Sequence, residues 1–322
     1  MGKYDDAMYR YLNDNARFAD LFNAVAFDGR EVLKPEMLEA DDGRYVIAKR
    51  KRNGKVESGN RYRDIKKRTR NGRFLSVTAI ENQEAIDYAM PLRMMQYDQL
   101  EYEEQLRRKR KQKEDALKEI GQEPNIWNAK LHLGDKLQPV YSICLYHGTK
   151  SWNGPRSLKD MMNFDGADQV WQDLFHDYGM NLFCANEVTD FSVFRTELKQ
   201  LLQVIPYRKD KTGLNHILHK EEYMHLDRET AETIAILTDT TELLEKLDEF
   251  EVEGGYDMCQ AMDELRADWK AEGKAEGKAE GKTEGILSSI QNIMISMKFT
   301  AEQAMDALLV PEEDREKYLA KL

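Results

Sequence analysis

The chain has 322 residues, enough to bury a core without disulfide staples. With 41% hydrophobic and 33% charged residues, 7 Pro and 19 Gly, wholesale disorder and collagen-like repetition are excluded. The formal charge of −11 argues at first against a polyanionic partner, but the mean conceals an asymmetry.

In chain order, Tyr4, Met8, Tyr11 and Leu12, then Phe18, Leu21, Phe22 and Val25, recur at three- and four-residue spacing, with Gly29 where a helix stop belongs. The chain is therefore expected to open with helices. Residues 44–50, 61–69 and 73–83 are short and suited to a pleated surface, with Asn53-Gly54 and Asn71-Gly72 between them, the two-residue hairpin signal. A three-strand meander is expected. A long charged helix over about 90–120 and an apolar strand over 138–148 follow. After Trp152 the pattern turns helical, with a long acidic helix expected over 227–250.

The fold class is thus α/β, a core running helix, three strands, helix, strand, followed by a mainly helical C-terminal region. The expected division is a core over 1–160, a helical acidic extension over 161–253, a Gly/Lys/Glu repeat linker over 254–285 and a helical tail over 286–322. The repeat KAEGKAEGKAEGKTEG aligns Gly273, Gly277, Gly281 and Gly285 on one side of a helix, but stacks Lys on Lys and Glu on Glu four residues apart. Glycine also weakens a helix by about 1 kcal/mol against alanine, so a semi-flexible helical linker is expected. Beyond it, Thr300 and Gln303 fit a capping box and Pro311 can open a last helix. This tail would fold back on its own chain or pair chains into a homo-oligomer.

Residues 49–73 hold twelve basic and two acidic side chains, and 107–113 adds six basic residues in seven. Residues 221–268 hold sixteen acidic and three basic. Cys144, Cys184 and Cys259 lie far apart with no CxxC pair and read as core thiols. No apolar run nears the roughly eighteen residues of a membrane helix, and the N-terminus holds no signal-peptide stretch, so a cytoplasmic address with no membrane partner is expected.

The basic run surrounds a candidate site. If Asn71-Gly72 closes a regular hairpin, Asp64 faces Ala79, and Val77, Ala79, Glu81 and Gln83 share its side of the sheet. Asp64 and Glu81 are then diagonal neighbours at roughly 7–8 Å. Two carboxylates and an amide suit a small hard cation such as magnesium, which prefers oxygen ligands and keeps several waters. A cation there can polarise a phosphoryl oxygen and activate a bound water, which is phosphodiester hydrolysis chemistry. The surrounding positive charge would draw a phosphate backbone to it. Three other patterns carry less: His216, His219 and His225 read as helix surface, 277–283 is one residue short of a phosphate loop, and Met90, Met94 and Met95 read as helix core.

Asp64, Glu81 and Gln83, spaced D-x18-E-x-Q across two strands, resemble the active-site pattern of PD-(D/E)XK nucleases, with glutamine in place of the usual lysine. IENQ (80–83), YAMPLRMMQYD (88–98), YSICLYHG (141–148) and the tryptophan-to-SL segment (152–158) are similar to the recombination-promoting nuclease (Rpn) family, as is the opening DDAMYRYLNDNARFADLFNAVAFDGREVLKPEML. The resemblance covers about residues 4–160. It implies a restriction-endonuclease-like core and a magnesium- or manganese-dependent DNA endonuclease of low sequence specificity, linked to recombination, transposases or mobile elements.

By position, the resemblance makes Asp64 and Glu81 metal ligands and Gln83 the residue that holds or orients the attacking water. Asp6, in the first helix, is a further acid. Positive charge for the transition state would come from Arg63 or Arg93, since Gln83 has none. Arg61, Arg63, Lys66, Lys67 and Arg93 are the expected DNA contacts. The alternative is an inert DNA-binding module of the same fold, and a third reading gives the acidic helices and tail an assembly role.

Overall fold

Helix α1 (Lys3–Leu12) buries Ala7, Met8, Tyr11 and Leu12 along one face. Helix α2 (Asn15–Phe27) starts where the Asp14 carboxylate accepts from the Ala16 and Arg17 N–H groups, a side-chain N-cap. It ends at Asp28 and Gly29, both in the left-handed region, so the glycine stop stands where it was expected. The computed structural model describes residues 2–50, 56–72, 74–125 and 129–322, with side chains other than those of 46–50, 56–62, 74 and 276.

Strands β1 (Leu38–Ala40), β2 (Arg44–Arg50), β3 (Val56–Tyr62), β4 (Ile65–Asn71) and β5 (Phe74–Gln83) follow. Next come α3 (Met90–Glu119), β6 (Val140–Tyr146) and, after a short helix α4 (Gln169–Leu174), β7 (Asn181–Cys184). The main sheet is mixed, in the order β1-β4-β5-β6-β7. β4 and β5 are antiparallel, whereas β5, β6 and β7 run parallel, with α3 crossing between β5 and β6. Pro91 sits in the first turn of α3, where its missing N–H breaks no bond. Met90, Met94, Tyr97, Glu101 and Gln105 then form the buried stripe of that helix. Lys66 reaches α3 from one face of β4, while Lys67 reaches the α1–α2 junction from the other. Helices thus cover both faces of the sheet.

The meander differs from expectation. The segment foreseen as one strand over 61–69 is broken at Arg63 and Asp64, and β2 pairs with β3 in a separate two-stranded sheet. Arg63 turns its side chain inward to Ser142 and Asp98 while its backbone N–H bonds the Gly43 carbonyl, and the Asp64 carboxylate takes a backbone N–H from β5. The Asn53-Gly54 turn lies outside the described residues. At the second hairpin Asn71 pairs with Phe74 and Ile65 with Ile80, so the expected register is off by two and Ala79 faces Lys66. A slip of two keeps every side chain on its face, and it brings Asp64 alongside Glu81 rather than diagonal to it.

The expected boundary at 160 falls inside one compact unit, Met1–Cys259. β7 extends the sheet, and Asp20 on α2 accepts from the Arg195 and Thr196 N–H groups and the Thr196 hydroxyl. Tyr11 shares a hydrogen bond with Thr230. Helices α5 (Leu198–Val204) and α6 (Lys211–Leu218) complete this layer. The single helix expected over 227–250 is instead α7 (Arg228–Leu237) and α8 (Glu242–Lys246) followed by a 3-10 turn. Asp239 has φ +56 and the Thr238 hydroxyl bonds the Ile234 carbonyl, which ends α7. A small pair, β8 (Glu251–Val252) and β9 (Gly255–Tyr256), closes the unit.

The second unit is Gln260–Leu322. Helix α9 (Met258–Met297) runs without interruption through the glycine repeat. The capping box at Thr300 and Gln303 opens α10 (Ala301–Ala307), and Pro311 precedes α11 (Glu312–Leu319). Ile290 packs with Ala304, Met305, Val310 and Tyr318, so the tail folds back on its own helix.

Candidate active site

Five elements meet at one end of the sheet: the start of β4, the ends of β5 and β6, and the first turns of α1 and α3. β5 brings Glu81 opposite Cys144 and Gln83 opposite Tyr146, and the His147 N–H continues the ladder to the Gln83 carbonyl.

Asp64, immediately before β4, accepts from the Asn82 N–H at 2.8 Å. Glu81 is 1% exposed, and its Oε1 has no hydrogen-bond partner. The nearest cation, Arg63 Nε, stands 4.0 Å away and is itself without a hydrogen-bond partner. Burial, and then the charge of Asp64, push the Glu81 carboxyl up to about 8, against the opposing pull of Arg63 and Arg93. Burial also raises Asp64, with the charge of Asp5 adding to it and the Asn82 N–H, Arg93 and His147 opposing.

The acid that α1 contributes is Asp5, not Asp6. Asp5 is half-buried and lies 3.1 Å from His147 Nε2, whereas Asp6 is exposed. Burial works to raise the Asp5 carboxyl, but the hydrogen bond and charge of His147, with the Gly2 N–H, hold it below its ordinary value. His147 is fully buried and its Nδ1 is unpartnered. A signal for Asp5 was in the sequence: it stands three residues before Met8 and seven before Leu12, on the buried face, while Asp6 aligns with exposed Arg10. For His147 the signal is weaker. It is the residue after a strand whose Tyr146 points to the α3 side, so period two turns it toward α1.

Gln83 reaches the same edge, but its amide is engaged. Nε2 donates to the Asn82 carbonyl at 2.7 Å, and Oε1 accepts from Arg93 at 3.4 Å. Arg93, about a third exposed, also donates to Asp87 at 2.8 Å. Burial opposes its charge, but the bonds to Asp87 and Tyr97 raise its pKa above the ordinary value.

Three expected DNA contacts are internal. Arg63 is buried and bonds Ser142 Oγ at 2.8 Å and Asp98. Lys66 is buried between Glu101 at 3.1 Å and Asp41 at 3.2 Å. Lys67 is buried and donates to the Asn13 carbonyl and Asn15 Oδ1. Each cation neutralises an acid or satisfies a carbonyl inside the protein, which leaves it no phosphate to meet. The Arg61 side chain lies outside the described residues.

The donors fit a small hard cation: carboxylate oxygens, one of them buried and unpartnered, in a group where burial first and mutual repulsion second raise the pKa values of Asp64 and Glu81. Asp5, Asp64 and Glu81 do not all lie within 4.8 Å of one another, so Asp64 and Glu81 would hold such a cation together with water.

No family model, curated protein or solved structure matches the chain. Among the described residues no helix is long and apolar enough to cross a membrane.

Proposed function

We propose that the chain is a metal-dependent DNA endonuclease with a restriction-endonuclease-like core, acting by phosphodiester hydrolysis with low sequence specificity. The observation that carries this reading is the buried Glu81 carboxyl, its Oε1 without a hydrogen-bond partner, beside Asp64 at the end of a mixed sheet. Carboxyls perturbed so strongly by burial and by a neighbouring charge cluster at functional sites. Magnesium or manganese bound there would supply Lewis acidity toward a phosphoryl oxygen and a water of lowered pKa.

The residues divide the remaining work. Asp64, pinned by the Asn82 N–H, and Glu81 present the ligand oxygens. Asp5, oriented by His147, is the third acid and can hold a water of the cation's shell. Arg93 is the cation beside both carboxylates and offers the positive charge that Gln83 lacks. Gln83 orients the attacking water only if its amide leaves the Asn82 carbonyl. The link to recombination or mobile elements, and the cytoplasmic address, rest on the sequence reading alone.

The test is a supercoiled-plasmid nicking assay with magnesium, manganese, calcium or chelator, run beside Glu81→Gln. Nicking with magnesium or manganese that chelator and Glu81→Gln both abolish supports the reading. Nicking by Glu81→Gln at the wild-type rate, or no nicking with any metal, overturns it.

A further inference from the structure

With Arg63, Lys66 and Lys67 internal, a nucleic acid needs other cations. A groove of about 380 Å³ runs between the β4–β5 hairpin and the second half of α3. Arg68, Arg70, Arg108, Lys109 and Lys136 line it, against a single carboxylate, Glu39. Gln112 and Gln138 add amides, groups that donate to phosphate oxygens without charge, while Gln105 is buried with its amide bonded to Glu101 and the Gln138 backbone.

These cations are only partly committed. Arg70 and Glu39 stand 4.0 Å apart with both side chains more than half exposed, a pairing that water and salt screen strongly. Arg68 leans on Asp41, and Arg108 on Glu101 and Glu104. Among the described residues, Lys109 and Lys136 form no ion pair. An adjoining cavity of about 580 Å³ shares Arg68 and Arg108 and adds Arg44, Arg107 and Arg110, but Asp41, Asp42, Glu103 and Glu104 line it too, so the excess of positive charge is greatest in the groove itself.

Position gives the groove its meaning. Arg68 and Arg70 alternate onto the same side of β4 as Lys66, whose partner Ala79 shares a face of β5 with Glu81. Glu81 and Ser76, at the groove, are five residues apart on β5, about 17 Å along a strand. At about 3.4 Å per base pair that distance spans roughly five base pairs. The groove's cations come from β4, from α3 and from the segment before β6, so several phosphates of one backbone can be met at once, which suits a repeating polyanion better than a single small anion.

We infer that this groove binds the sugar-phosphate backbone of duplex DNA about five base pairs from the bond aligned with Asp64 and Glu81. The inference rests on the reading of those carboxylates as the cutting site. A duplex too short to reach the groove is then held poorly however well it fits the carboxylates.

The test compares wild type with Arg70→Glu/Lys109→Glu/Lys136→Glu, whose side chains are exposed or half-exposed, so that an unchanged melting temperature verifies the fold. Fluorescence anisotropy with a labelled 20-base-pair duplex in calcium reads binding without relying on turnover. The triple variant should bind at least tenfold more weakly at 100 mM salt, and its slope of log affinity against log salt should fall by about 2 to 3, at roughly 0.9 per lost phosphate contact. Equal affinity and equal slope would overturn the inference, as would displacement of the duplex by polyglutamate of matched charge at the same concentration as by unlabelled DNA. The two readings separate cleanly. Magnesium-dependent nicking by wild type with unchanged binding by the triple variant removes the groove and keeps the site. Lost binding by the variant, with no nicking by wild type under any metal, removes the site and keeps the groove.

Discussion

The Asn82 backbone N–H donates to the Asp64 carboxylate at 2.8 Å, tying the residue that precedes β4 to the strand that carries Glu81. Because this bond uses one carboxylate oxygen as an acceptor, an asparagine can keep it while losing the charge. Asp64→Asn is therefore expected to fold as wild type does, with a melting temperature equal or higher in chelator because a charge facing Glu81 and Asp5 is gone. Metal-dependent nicking should fall by about a thousandfold or more, since one of two proposed ligands is lost. Calorimetry beside the plasmid assay checks both halves.

The raised pKa of Glu81 makes a prediction about pH. Its carboxyl moves from an ordinary 4.5 to about 8 in the folded protein, so between those values the folded chain keeps a proton that the unfolded chain has released. Stability in chelator should therefore fall as pH rises through that window, by up to about 1.4 kcal/mol per pH unit from this group. Glu81→Gln has no such proton to lose. In urea titrations from pH 5 to 8, its stability relative to wild type should grow with pH, and magnesium should narrow the gap by favouring the ionised wild-type carboxylate. A constant difference across the range would mean that Glu81 is not the group that titrates.

Much of this arrangement was legible from local pattern. The spacing of Met8, Tyr11 and Leu12 marked α1, and the run 73–83 marked β5. Asp64 and Glu81 came out on one face because the hairpin register was off by two rather than one. What local pattern did not carry was decided by partners far along the chain. Arg63 breaks the strand by bonding Asp98, 35 residues away, and Lys67 is buried against Asn13 and Asn15, more than fifty residues earlier. β7 has four residues, too few for period two to register, and it joins the sheet through β6. The same limit hid the union of 161–253 with the core, which rests on contacts such as Tyr11 with Thr230.

Asp5 and Asp6 are neighbours in sequence with opposite surroundings, and substitution separates them. Asp5→Asn removes a charge next to Asp64 and weakens the contact with buried His147. A loss of about 10- to 100-fold in nicking is expected, as for groups that orient a metal's ligands. Asp6→Asn alters an exposed residue on the other side of α1 and should stay within twofold of wild type. The reverse order of effects would return Asp6 to the site.

Lys66 provides the sharpest contrast between a DNA contact and an internal ion. Its ammonium lies 3.1 Å from Glu101 Oε2 and 3.2 Å from Asp41 Oδ2, and the Lys66 and Glu101 side chains are 3% and 0% exposed. Glu101 also accepts from Tyr45 and Arg108, so Lys66→Ala leaves a buried carboxylate with fewer donors and one fewer charge to balance it. Removing one member of a buried pair typically destabilises by about 3–5 kcal/mol. Lys66→Ala is expected to lose stability on that scale in urea. At a temperature where it remains folded, its affinity for a 20-base-pair duplex should match wild type within about twofold. Lys66→Met, which refills the space of the aliphatic stem, should recover part of the stability by packing. A variant of unchanged stability and much weaker duplex binding would instead put Lys66 on the nucleic-acid surface, and with it the face of β4 that α3 now covers.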